Sequence, residues 1–246
     1  MLSEMTWEQF RDAVPGITDL VLIPVGTIEA HGAIPLGTDN LIPESLARAI
    51  APKLQALIAP TVPYGVTNTL LPYPGSTTVT SETFRAYLFE AAAGLVDAGF
   101  RRVVILNGHG GQTAEVADVV ARLWNEKKAY AAALEWWGSC VELSREIYGD
   151  RASGHAGVEE TAMVLAAAPG LVDADRARTV RRTHRRAGLR ARPFPASIIL
   201  DRPERDGDGA LDLDPEKAAR FHRGCVAAVT AALVDLFAGW EEIGRG

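Results

Sequence analysis

Two apolar runs break off in the same way, and this repetition constrains the fold more than any other feature of the chain. The first, VLIPVG, covers Val21 to Gly26 and passes directly into TIEAHG; the second covers Val103 to Leu106 and passes into NGHGG. Each run has the length of a buried strand and ends in a glycine-rich polar turn. A third run, Tyr130 to Glu135, closes on Trp136 and Trp137. Between the second and third runs, Val116, Val119, Val120 and Leu123 recur at helical spacing within Thr113 to Lys128. A further helix is expected from Thr80 or Ser81, as cap, to Ala98, with Gly99 as its stop. Strands and helices alternating at this spacing are βαβ units. The sequence therefore predicts an α/β fold, a mainly parallel sheet with helices on both faces.

The remaining segments fit this plan. Trp7 and Phe10 mark a short helix over Thr6 to Ala13, and Leu20 to Gly26 is the first strand. Pro43 suits the first turn of a helix, which Pro52 should kink or end. Leu57 to Val62 reads as a second strand, and Thr67 to Thr80 as a long loop with a short strand at Thr77 to Val79. Asp214 followed by Pro215 opens a long C-terminal helix. With 246 residues and 48% hydrophobic content, residues 1–246 are read as a single domain with a sizeable core.

A formal net charge of −6 argues against nucleic acid or an anionic membrane as the main partner. The basic run Arg178 to Arg186 is the local exception. It suits an anionic group such as a phosphate, or more commonly a solvated face or subunit contact. Cys140 and Cys225 lack zinc-finger spacing and read as core thiols. The N-terminus has no signal-peptide pattern, and no apolar run approaches the ~20 residues of a membrane span, so a cytoplasmic protein is expected. The segment DGDGALDLD lacks the distal Glu of a calcium loop and reads as a turn.

In a parallel sheet, the strand C-termini share one edge, where open α/β proteins bind ligands. Glu29, His31 and Asp39 follow the first run, and His109 follows the second. Carboxylates and imidazoles gathered at such an edge have the composition of a hard or borderline metal site. Glu159 and Glu160 are further acids near His155; on a helix they point about 100° apart, so one alone can face the site. By acid count the two tie. Ser76 and Thr77 suit either substrate contact or turn stabilisation, and Trp136 and Trp137 either substrate stacking or core packing.

The ordered set TIEAHGAIPLGTD, PYPGSTTVT, LNGHGGQT and HAGVEETA, closed by LDPEKAARFHRG, resembles the creatininase (creatinine amidohydrolase) family. The resemblance implies a three-layer α/β/α fold, a two-metal site and amide-bond hydrolysis. It also implies a homo-oligomer, often a hexamer. The implied metal ligands are Glu29, His31, His109 and Glu160, with Asp39 bridging. His155 is implied to handle protons or hold substrate, and the catalytic candidates are His155 and Glu160. The chain departs from true creatininases at Gly111, where a metal-binding Glu stands, and in a first loop one residue shorter with Ala33-Ile34 in place of a second histidine. An N-G-H-G-G branch is therefore indicated, in which Glu160 takes the place of the missing Glu. The branches include pyrimidine-pathway deformylases and a peptidase of redox-peptide maturation, so the family does not choose the substrate.

The residues support a matching chemistry. Glu29 and His109 could hold one divalent ion and His31 and Glu160 a second, with Asp39 shared. Zn2+ paired with Zn2+, Mn2+ or Fe2+ suits such ligands. Such a pair would activate water against the carbonyl of a non-peptide or cyclic C–N amide bond in a small molecule, including formamides. His155 would protonate the leaving nitrogen. The glycines of NGHGG would let the backbone approach closely and offer N–H groups to an oxyanion. The competing reading is a non-catalytic metal-binding scaffold or subunit that retains the fold.

Overall fold

A computed structural model of the chain describes residues 1–149, 155–176, 180–182, 198–200 and 212–244. Its centre is a four-stranded, all-parallel sheet. The strands are β1 (Leu20–Val25), β2 (Leu57–Ile58), β3 (Arg102–Asn107) and β4 (Tyr130–Glu135), in the spatial order β2-β1-β3-β4. The helices are α1 (Trp7–Ala13), α2 (Thr38–Leu54), α3 (Ser81–Asp97), α4 (Thr113–Lys127), α5 (Val141–Tyr148), α6 (Val158–Ala167) and α7 (Pro215–Gly244). Val180–Arg182 and Ile198–Leu200 pair antiparallel as a separate hairpin, β5 and β6.

Residue parity along the strands builds the layers. Leu20, Leu22, Val104 and Leu106 point to one face, where α2, α6 and α7 bring Leu46, Ile50, Met163, Phe221 and Val229. Val21, Ile23, Val103 and Ile105 point to the other, against Phe84 and Leu88 of α3 and Val116 and Val119 of α4. Both faces of β1 and β3 are buried, so these strands read as continuous apolar runs rather than alternating ones. The result is a three-layer α/β/α sandwich.

Some boundaries differ from those the sequence suggests, for local reasons. The second helix begins at Thr38, not Pro43, and both Pro43 and Pro52 lie within it. The expected strand over Leu57 to Val62 keeps only its first two residues. Pro24 of β1 has no N–H for the next rung, and the chain rejoins at Val62, whose N–H donates to the Pro24 carbonyl at 2.9 Å. Thr80 caps α3 by accepting from Thr83 N–H, and Asp214 accepts from the N–H groups of Glu216 and Lys217 at the start of α7. Contrary to the sequence expectation, α7 is long and apolar enough to cross a membrane by length and composition alone. One stripe of it, including Phe221, Cys225, Val229 and Leu233, is nonetheless buried in the core. Cys140 and Cys225 are both free and buried. Of the basic run, only Val180–Arg182 falls within the described residues; the prolines at 193 and 195 and residues 206–211 of the acidic turn lie outside them.

The order of strands creates a switch point. From β1 the chain crosses by α2 to β2 on one side, and from β3 it crosses by α4 to β4 on the other. The loops after β1 and β3 therefore diverge over a crevice at the strand C-termini, the usual ligand site of open α/β sheets.

Candidate metal centre

The crevice is filled with charge. Glu29 and His31 come from the loop after β1, Asp39 from the first turn of α2, and His109 from the loop after β3. Glu160 projects from the first turn of α6, and His155 lies just ahead of that helix. His31 Nε2 is 3.0 Å from Asp39 Oδ1 and 3.8 Å from Glu160 Oε2. His109 Nδ1 is 2.9 Å from Asp39 Oδ2 and 3.3 Å from Glu29 Oε1, and His155 Nδ1 is 3.2 Å from the same Glu29 oxygen. Three overlapping sets of donor atoms result, each within 4.8 Å: Glu29, Asp39 and His109; His31, Asp39 and Glu160; Glu29, His31 and His155. Every residue named from the sequence as a ligand or proton carrier is in the cluster. Glu159 is buried but in none of the sets, which separates the two acids that sequence alone left tied.

Burial and charge act against each other here. Burial alone lowers His31, but Asp39, with smaller help from Glu160 and Glu29, raises it to about 9. Burial likewise lowers His109, and Asp39 and Glu29 raise it to about 10. Glu29 would be raised by burial, yet His109 and His155 hold it well below the usual carboxylate range. Asp39 follows the same pattern under His31 and His109. Glu160 goes the other way: burial lifts it, and the His31 and His155 charges do not compensate.

The donor set fits divalent metal. Both Glu29 oxygens and Asp39 Oδ2 are buried with no hydrogen-bond partner. Imidazole nitrogens are near Glu29 Oε1 and Asp39 Oδ2 but are not aligned as donors to them. Buried polar atoms are rarely left unpaired, and lone pairs turned to a common centre are what metal ligands require. The tautomers agree. His31 Nδ1–H donates to the Glu29 carbonyl at 2.9 Å, which leaves Nε2 to face the cluster. His155 Nε2–H donates to the Ala30 carbonyl at 2.7 Å, leaving Nδ1 to face Glu29. Ala156, in a left-handed conformation at φ 51°, turns its N–H onto Glu160 Oε2 at 2.5 Å.

Two positions overlooked in the sequence hold the His109 loop. Asn107 Oδ1 accepts from His109 N–H at 3.2 Å and from Gln112 Nε2 at 3.0 Å, and its Nδ2 donates to the His109 carbonyl at 2.9 Å. Gln112 Oε1 accepts from Val66 N–H. Both amides are buried, and an Asn closing an apolar strand was the available signal, because such a group must find partners.

The oxyanion expectation is corrected at Gly108, and the readings left open at Ser76, Thr77 and the two tryptophans are narrowed. Gly108 N–H donates to the Val25 carbonyl at 2.8 Å and is not offered to an oxyanion. Ser76 accepts from Ala30 N–H at 2.9 Å and Thr77 bridges to Ile28, so both stabilise loops. Trp136 is core, whereas Trp137 flanks the His109 loop, 3.8 Å from where a Gly110 side chain would begin. At Gly111 a Cβ would lie 2.3 Å from His109 Nε2, so this ring position leaves no space for a side chain there.

A switch-point crevice that gathers this donor set is an α/β arrangement able to hold divalent metal. The sequence model of the creatininase family, described as creatinine amidohydrolase, matches residues 3–236, and the chain belongs to that family. The creatinine amidohydrolase of Pseudomonas putida is 26% identical over 71% of this chain and 74% of its own length. The mycofactocin precursor peptide peptidase of Mycobacterium ulcerans is 30% identical over 66% of this chain and 64% of its own, so the chain spans less than two thirds of that relative. Among solved structures, a mutant creatininase of Zn-Zn type superposes with a TM-score of 0.82 at 24% identity, covering 96% of this chain and 97% of the other. A creatininase described by its Mn form gives the same score and identity. These likenesses carry the fold.

Proposed function

We propose that the chain is a metal-dependent amidohydrolase acting on a C–N amide bond of a small molecule through a water activated by two divalent ions. The observation that carries this reading is the sharing of Asp39 between two donor triads. Glu29, Asp39 and His109 would hold one ion, and His31, Asp39 and Glu160 the other. Each triad has three protein ligands, a number that leaves room for water or substrate. When bound, the pair supplies a water of near-neutral pKa and a Lewis acid for the scissile carbonyl. Zinc with zinc, manganese or iron suits the donors.

The chain's own residues do the rest. His155 is oriented by its Nε2–H bond to Ala30, so its Nδ1 is the atom free to carry a proton to the departing nitrogen. Glu160 is steered by the Ala156 N–H, and Asn107 and Gln112 keep the His109 loop rigid. Creatinine, other cyclic amides, N-formyl compounds and short peptides form the first substrate panel. Metal-dependent hydrolysis of a cyclic amide or formamide, abolished by a chelator and restored by Zn2+ or Mn2+, is the expected result. A protein that binds two ions per chain and turns over none of the panel would favour the non-catalytic scaffold instead.

A further inference from the structure

We infer that Gly26, Gly108 and Pro43 form a notch that sets Asp39 between the two metal positions, an inference that rests on the reading of Asp39 as the shared ligand. Gly26 follows β1 and Gly108 follows β3, so they are equivalent positions on neighbouring strands. Both face the same atom. A Cβ built on Gly26 would lie 2.2 Å from the Asp39 carbonyl oxygen, and one built on Gly108 would lie 1.9 Å from it. Either distance is impossible for a real side chain, and the obstacle is backbone rather than a flexible tip. Only two glycines side by side allow the first turn of α2 to enter the crevice this far.

Pro43 completes the device. In a regular helix the Asp39 carbonyl would accept from the N–H four residues on, but Pro43 has none. The carbonyl is thereby released from the usual helical partner and can sit in the notch, with the proline ring against it: Pro43 Cγ lies 2.9 Å from the Cβ position of Gly108. The carboxylate of the same residue then reaches His31 on one side at 3.0 Å and His109 on the other at 2.9 Å. These three residues are positioning residues and touch no substrate.

The test is titration of the metal-free full chain with Zn2+ alone, against a chelating indicator, with thermal unfolding measured in parallel. Gly26→Ala and Gly108→Ala should each weaken Zn2+ binding by about tenfold or more, within the range usual for groups that orient ligands. Gly37→Ala is the control, because a Cβ there meets only Ile28 Cδ1 at an ordinary 3.8 Å; it should bind as the parent does. Pro43→Ala adds no bulk and serves if the glycine variants do not fold. It should weaken Zn2+ binding several-fold while leaving the metal-free protein as stable or more so. Parental affinity in Pro43→Ala, or in either folded glycine variant, overturns the inference. If Asp39→Asn also binds two ions as tightly as the parent, the ligand reading itself has failed; if it does not, only the notch has.

Discussion

The two donor triads share Asp39 but are built from different parts of the fold. Glu29 and His109 stand on loops that leave adjacent strands of the buried sheet centre, and Glu29 is held ionised by two imidazoles. His31 and Glu160 pair a β1 loop with α6, a helix much later in the chain, and burial raises the Glu160 carboxyl above its ordinary value. The difference teaches that a shared ligand does not make equal sites. The first triad is preorganised by the sheet, whereas the second depends on how α6 docks.

The strongest way to break this comparison is to remove what the triads share. Asp39→Asn should cost both ions, with elemental analysis falling from about two per chain to well below one and hydrolysis lost with them. Glu160→Ala should strike only the second triad, leaving about one ion per chain. Loss of both ions would mean that the first triad cannot stand alone. Next in size is Asn107→Ala, which frees the His109 loop. It should weaken the first site by about 10–100-fold, the usual cost of removing a group that orients a ligand, and spare the second.

Proton linkage sharpens the contrast further. In the metal-free protein, His31 and His109 are raised from 6.5 to about 9 and about 10. Their contribution to stability is complete below pH 6.5 and is lost as the pH rises through about 9 to 10. Glu29 and Asp39 are lowered, so their contribution is present above their ordinary values and fades only in acid. The melting temperature of chelator-treated protein should therefore fall between pH 7 and pH 10 more steeply than that of His109→Asn. Equal slopes would deny the imidazolium pairs. Smallest of all, Ser76→Ala removes one bond to the Ala30 backbone and should cost about 1 kcal/mol of stability with metal content unchanged.

Much of this was legible in the chain. The apolar runs of β1, β3 and β4 and the caps of α3 and α7 are local signals, carried by residues a few positions apart. So were the donor types: carboxylates and imidazoles placed directly after buried strands belong to a sheet edge wherever that edge lies. Other features were hidden because their causes are distant in sequence. The short β2 follows from Pro24, more than thirty positions earlier, lacking the N–H for its next rung. The buried Gln112 meets Val66 only across the fold.

By itself, then, the sequence determined the α/β class, a mainly parallel sheet and the residues that could meet at its edge, since periodicity and turn chemistry act locally. Acid count and periodicity left Glu159 and Glu160 tied and only the family resemblance favoured Glu160; tertiary structure supplies the physical reason that Glu160 faces the cluster. The rotation of α6 is set by the apolar face it buries against α2 and α7, not by anything within the helix. It also decided that Gly26 and Gly108 serve Asp39, because a close approach between backbones exists only once the strands are side by side.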